Sequence, residues 1–239
     1  LKLGICVHIW LVDSIGVQQI LDHISCNGRN CILRIGTVVA FTKDKDSVSG
    51  TLHVYASVTA CYTIMQPFIK KLSLAYPAVQ LSVETGDPAG AVAAVREGRA
   101  DLAVAAFSES NSEFFEFTCL KNSPLVFAAS ISSDYTKIYG SPQDIISEVP
   151  LILPKAGLAR ERFDDWTKSR NVKPKIAAEA EGNEAVMALA ALGLGIGLVP
   201  EIVLENGPYR EGFISHSAGN ILGYYEIGFI RKKHPSGSE

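Results

Sequence analysis

The order of the periodic segments between Gly50 and Ala106 constrains this chain more than any other feature. Residues 51–57 alternate, with Leu52, Val54 and Ala56 on one side and His53 and Tyr55 on the other. That is the period of a half-buried strand. Residues 59–75 carry Ile64, Phe68, Leu72 and Ala75 at helical spacing, and Pro77 closes the segment. Residues 79–85 read as a second strand. Gly86-Asp87-Pro88 reads as a turn, with Pro88 suited to a helix's first turn. Residues 89–97 form that helix, and Gly98 is its stop. Residues 101–106 are almost continuously apolar, as a strand covered on both faces is. A β-α-β-α-β run of this kind predicts a parallel, doubly wound sheet.

The pattern then repeats. Residues 114–120 and 125–129 read as two strands where the chain crosses to a second lobe. Helices at 142–147, 157–169 and 184–192 alternate with strands at 151–153, 176–180 and 193–200. Residues 224–230 read as a strand returning to the first lobe. The fold class is therefore α/β, two Rossmann-like lobes joined by crossing strands, similar to periplasmic binding proteins. Lobe one is expected over about 50–122 plus 223–230, lobe two over about 123–222, and a polar tail over 231–239. Residues 1–48 are irregular: a strand at 1–7, a helix at 15–24, a turn at Asn27-Gly28 and a strand-like run at 32–41, with a polar linker at 42–50. They carry no helix-turn-helix pattern.

Composition narrows the function. A chain of 239 residues with 22 Lys and Arg against 25 Asp and Glu lacks the basic excess of a chain that holds DNA by itself. The five cysteines, Cys6, Cys26, Cys31, Cys61 and Cys119, are odd in number and without C-x-x-C spacing. They read as reduced thiols, with Cys61 and Cys119 in the core, and no metal site is expected. No apolar run approaches the roughly 20 residues of a membrane span. His8 interrupts the apolar opening and no small-x-small cleavage site follows, so a cytoplasmic location is expected.

Catalytic readings do not assemble. His53 and Ser57 lie four residues apart on one strand, which separates them by ~13 Å. No G-x-S-x-G elbow is present. Gly193, Gly195 and Gly197 form G-x-G-x-G, but they follow a helix and enter a strand, the reverse of the dinucleotide fingerprint. Gly193 is expected to end the helix, and Gly195 and Gly197 to permit close packing. Asp101 reads as a solvent-facing or capping carboxylate beside Arg99. No enzyme activity and no cofactor are expected.

A ligand reading is better supported. In α/β sheets small molecules bind beyond the carboxyl ends of the strands. Ser57 and Thr59 stand where the first strand gives way to a helix, and free N–H groups there suit an anion. The alternative is that one of them merely caps the helix. Gly86, Asp87, Ala106 and Pro154 lie at other strand ends. Lys155 is a candidate counter-charge, or a solvated surface lysine.

Several runs resemble the effector-binding domain of LysR-type transcriptional regulators. They are Gly50-Thr51-Leu52-His53-Val54-Tyr55-Ala56-Ser57 with Thr59, then Pro67, Ala75-Tyr76-Pro77-Ala78-Val79 and Gly86. Val95-Arg96-Glu97-Gly98-Arg99-Ala100-Asp101-Leu102-Ala103-Val104 and Ala190 to Pro200 complete the series. A finer resemblance is to the branch that activates the acetohydroxy acid isomeroreductase gene. It rests on Ser57-Val58-Thr59-Ala60, Thr85-Gly86-Asp87, Glu181-Gly182-Asn183-Glu184-Ala185 and Leu198 to Pro208. The resemblance implies a small anionic effector such as an acetohydroxy acid, control of branched-chain amino acid biosynthesis, and self-association as a dimer or tetramer. It adds Val58 and Asn183 to the ligand-binding candidates. Asn183 replaces the branch's usual histidine. DNA contact is expected only through a winged helix-turn-helix missing from this chain. Residues 1–25 look like the strand and helix that usually close the family's first lobe from the C-terminus, or they are unrelated sequence. The competing function is an extracytoplasmic solute-binding protein of similar fold.

Overall fold

Strand β3 (Ser49–Ala56) shows how the sequence builds the first lobe. A computed structural model of the chain describes residues 32–33, 38–39, 49–106, 113–137, 140–205 and 208–233. The alternation read from the sequence sorts the β3 side chains between two cores. Leu52, Val54 and Ala56 join the larger cluster, with Phe68 and Leu72 of the following helix. Tyr55 faces the other way, onto Ala91, Ala94 and Val95. Strand β5 (Leu102–Ala106) divides likewise: Leu102 and Val104 on one face, Ala103 and Ala105 on the other. Each face buries a helix, which is why β5 reads as unbroken apolar sequence.

The helix expected over residues 59–75 is two segments, α1 (Val58–Thr63) and α2 (Met65–Ala75), broken at Ile64. Pro67 explains the break. Its ring has no N–H to give and crowds the carbonyl of Thr63 four residues back. Strand β4 (Val79–Thr85) pairs in parallel with β3. A 3-10 turn (Pro88–Gly90) leads into α3 (Ala91–Glu97), and Gly98 ends it with φ 78°. Left-handed backbone at that position suits glycine.

The two strands expected at 114–120 and 125–129 are one, β6 (Phe115–Ser130), sixteen residues long. Lys121-Asn122-Ser123-Pro124 has the look of a turn, yet the returning strand β11 (Tyr224–Lys232) pairs through it: Glu226 opposite Asn122, Tyr225 opposite Ser123, Tyr224 opposite Pro124. β6 and β11 are the crossing strands. In the first lobe β11 lies between β5 and β6, and the far end of β6 joins the second-lobe sheet through β9 (Ile196–Pro200). That sheet continues with β7 (Pro150–Pro154) and β8 (Lys175–Ala180), both parallel pairings. Helices α4 (Pro142–Glu148), α5 (Leu158–Ser169) and α6 (Asn183–Ala191) connect its strands, and α7 (Ile202–Glu205) follows β9. Strand β10 (Phe213–Ser217) pairs antiparallel with β6 and has no counterpart in the sequence expectations.

The glycine-spaced run packs as expected. A Cβ on Gly195 would stand 2.3 Å from the Pro150 carbonyl oxygen, and one on Gly197 2.9 Å from a Val186 methyl. Three expectations change. Cys119 is exposed rather than in the core, and Cys61 is half-buried. Asp101 Oδ2 accepts the His53 amide at 2.8 Å, while Arg99 bonds to Glu97 and Glu84. The run at 32–41 contains two short antiparallel strands, β1 (Ile32–Leu33) and β2 (Val38–Val39), with β2 set against β3. The strand and helix expected over 1–25 lie outside the described residues.

Candidate functional site

Every parallel strand of both lobes ends near one cavity. β3 leads to Ser57, β4 leads to Asp87, β5 ends at Ala106, β7 ends at Pro154, β8 leads to Gly182 and β9 ends at Pro200, and all six of these residues line it. The cavity holds about 380 Å³. That lies within the roughly 300–1,000 Å³ of small-molecule sites. Its walls are mostly Ala, Val, Ile, Leu, Pro and Gly, with Tyr225 and Ile227 contributed by crossing strand β11.

Of the residues singled out from the sequence, Ser57, Thr59, Asp87, Ala106, Pro154 and Asn183 meet at this cavity. Three do not line it. Val58 begins α1. Gly86 is packed under Tyr55, whose hydroxyl would stand 2.2 Å from a Cβ there. Lys155 turns to the surface, 55% exposed, and faces Glu181 at 3.4 Å. Among the described residues no Lys, Arg or His lines the cavity, and Lys155 lies outside its walls.

What the cavity offers an anion is backbone amide, and the carboxylates of Asp87 and Glu161 also line it. The helices α1, α5 and α6 all begin at the cavity. Ser57 caps α1, its Oγ accepting the Ala60 amide at 3.1 Å. Ser57 thus caps the helix and also lines the cleft. At α5 and α6 the cap residues are Gly157 and Gly182, with no side-chain cap. Uncapped first-turn amides and aligned peptide dipoles favour negative charge.

Two carboxylates cross the cleft in opposite directions. Asp87 of lobe one accepts the Ala89 amide at 2.7 Å and, from lobe two, the Gly182 amide at 2.7 Å. Glu184 of lobe two accepts the Thr59 amide at 2.7 Å and the Thr59 hydroxyl at 2.6 Å. The Tyr55 hydroxyl donates to the Asp87 carbonyl at 2.8 Å and so steadies that turn. Burial, and after it the Glu184 carboxylate, raises the Cys61 thiol above its ordinary value. A thiol raised in this way is a poor nucleophile.

Sequence reasoning gave no site role to Tyr225 or Glu184. Tyr225 is 3% exposed. Its hydroxyl has no hydrogen-bond partner among the described residues. Burial pushes its phenol far above the ordinary range, so it stays protonated and able to donate. The Arg162 guanidinium lies 5.1 Å from its ring centroid. Among the described residues no group of His, Cys, Asp and Glu is arranged to hold a metal. No described helix is long and apolar enough to cross a membrane.

The model of the LysR substrate binding domain matches residues 45–236. The chain belongs to the LysR substrate binding domain family. It is 35% identical over 164 residues to the HTH-type transcriptional activator IlvY of Salmonella typhimurium, covering 68% of this chain and 56% of that protein. The Escherichia coli IlvY regulator gives 35% identity over 68% of this chain and 55% of its own length. The chain thus spans little more than half the length of these curated relatives. They are named transcriptional activators and regulators, not enzymes. Among solved structures, the cofactor-binding domain of the Cbl transcriptional regulator superposes with a TM-score of 0.68 at 21% identity, covering 85% of this chain and 89% of that one. The effector-binding domain of QuiR, in complex with shikimate, gives 0.66 at 17% identity, covering 80% and 90%. These likenesses confirm the two-lobed α/β fold of a LysR effector-binding domain.

Proposed function

We propose that this chain is the sensing part of a transcriptional regulator and that its interlobe cavity binds a small hydroxylated carboxylate. An acetohydroxy acid such as acetolactate fits this description, and branched-chain amino acid biosynthesis is the process controlled. The observation that carries the reading is the convergence of three helix N-termini on a largely apolar cavity that no Lys, Arg or His among the described residues lines. Such a site suits an anion of low charge held by amides and hydroxyls. Tyr225, whose buried hydroxyl has no partner among the described residues, forms part of the same wall. An acetohydroxy acid carries a carboxylate beside a hydroxyl and a ketone. The names of the IlvY relatives support the same choice.

The ligand acts by favouring one arrangement of the two lobes, which requires different affinity for the two states. The chain self-associates through first-lobe and second-lobe helices, with residues 59–75 at the interface. DNA is reached in the cytoplasm only through a winged helix-turn-helix, which residues 1–48 do not resemble.

Calorimetric titration with acetolactate and acetohydroxybutyrate, alongside Ser57→Ala and Thr59→Ala, tests the reading. Saturable binding that both substitutions weaken supports it. A folded, monodisperse protein that takes up neither compound contradicts it.

A further inference from the structure

We infer that Glu184 is a built-in competitor for the effector's carboxylate, and that it sets which carboxylates the cleft accepts. The inference rests on the anionic-effector reading above and adds the regulation of that site. Its basis is the single Glu184 oxygen that takes both the amide and the hydroxyl of Thr59, at 2.7 and 2.6 Å, across 125 residues of chain. Those donors are the ones a ligand carboxylate at the end of β3 needs. One amide proton and one hydroxyl proton do not serve two carboxylates, and two negative charges at hydrogen-bond distance repel.

Glu184 is also one arm of a clasp. It sits at the start of α6, two residues after Gly182, whose amide is held by Asp87. Displacing Glu184 releases one arm and leaves the other. Binding is thereby converted into a change in how the lobes are held, without any contact to a distant site. The competition also selects. Charge-assisted hydrogen bonds of this kind favour the self-occupied cleft by roughly 10- to 100-fold. An effector's apparent affinity is its intrinsic affinity multiplied by the fraction of time Glu184 is absent. A bare carboxylate gains only what Glu184 already supplies. A ligand with further oxygens also reaches the first turn of α5, which Glu184 does not satisfy, and so prevails.

The test uses the whole 239-residue chain and its Glu184→Ala and Glu184→Gln variants, with acetolactate and acetate as probes. Calorimetry is expected to show Glu184→Ala binding acetolactate about 10-fold or more tighter, with Glu184→Gln between it and wild type. Acetate is expected to bind measurably only once Glu184 is gone. In the ligand-free protein, hydrogen exchange at the Thr59 amide is expected to be about 10-fold or more slower in wild type than in Glu184→Ala. Unchanged or weaker acetolactate binding by Glu184→Ala overturns the competition, as does equal Thr59 exchange. If none of the proteins binds either probe while Thr59 remains protected by Glu184, the anionic-effector reading is what fails, and displacement by an anion falls with it.

Discussion

Removing the Asp87 carboxylate separates two contributions that the structure places on one side chain. Oδ1 accepts the Ala89 amide at the start of the 3-10 turn, and Oδ2 accepts the Gly182 amide from the opposite lobe. Loss of a cap costs about 1 kcal/mol. Loss of a hydrogen bond to a charged group costs about 1.5–3 kcal/mol where the partner stays dry. Gly182 is only half-buried, so water relieves part of that second loss. Asp87→Ala is therefore expected to cost about 2–3 kcal/mol in urea unfolding. Asp87→Ser retains a capping oxygen but is too short to bridge the cleft. It is expected to recover about 1 kcal/mol of the loss and no more. If Asp87→Ala lies within about 0.5 kcal/mol of wild type, neither contact is formed in solution. If Asp87→Ser matches wild type, the interlobe bond contributes nothing and the clasp is wrong.

Gly195→Ala sets a Cβ 2.3 Å from the Pro150 carbonyl oxygen and is expected to cost about 3 kcal/mol, read as a fall in the thermal midpoint; an unchanged midpoint contradicts the packing of β9 on β7. The Ser141 hydroxyl and then its amide lower the Asp144 carboxyl below its ordinary 3.8. A lowered folded value stabilises above the ordinary one, so the capping box is intact above pH ~4 and its contribution declines as pH falls through the lowered value. Ser141→Ala is expected to destabilise at neutral pH, with the gap to wild type narrowing in acid; a pH-independent gap refutes it. Leu74 on α2 is 78% exposed, and Leu74→Glu is expected to leave unfolding within about 0.5 kcal/mol of wild type while sedimentation shifts toward monomer. An unshifted dimer moves the interface elsewhere.

The first lobe was legible because its information is local. Alternation in β3, the continuous apolar run of β5 and the stop at Gly98 each follow from a few adjacent residues. β10 was not legible, because Phe213-Ile214-Ser215-His216-Ser217 becomes a strand only through pairing with residues 126–130 of β6. The join within β6 has the same cause: residues 121–124 look like a turn until β11 runs beside them. At the site, strand ends were readable as positions and six candidates met at the cavity. Glu184 was not, since a glutamate in a helix's first turn is ordinary sequence that favours the dipole. Only the approach of the two lobes brings it to Thr59. Tyr225 was hidden likewise, because its partnerless hydroxyl is a property of the packed crossing strands. For Lys155 the charge was visible and its direction was not, and of its two readings the exposed side chain fits the solvated one.

The central claim is that a small carboxylate effector enters the cavity between the lobes. Backbone amide shifts of the chain titrated with acetolactate test it most directly. The account predicts saturable shifts centred on Thr59, Asp87, the first turn of α5 and Asn183, with smaller changes along β6 and β11. Shifts confined to the outer faces of the lobes, or none at saturating acetolactate, would contradict it.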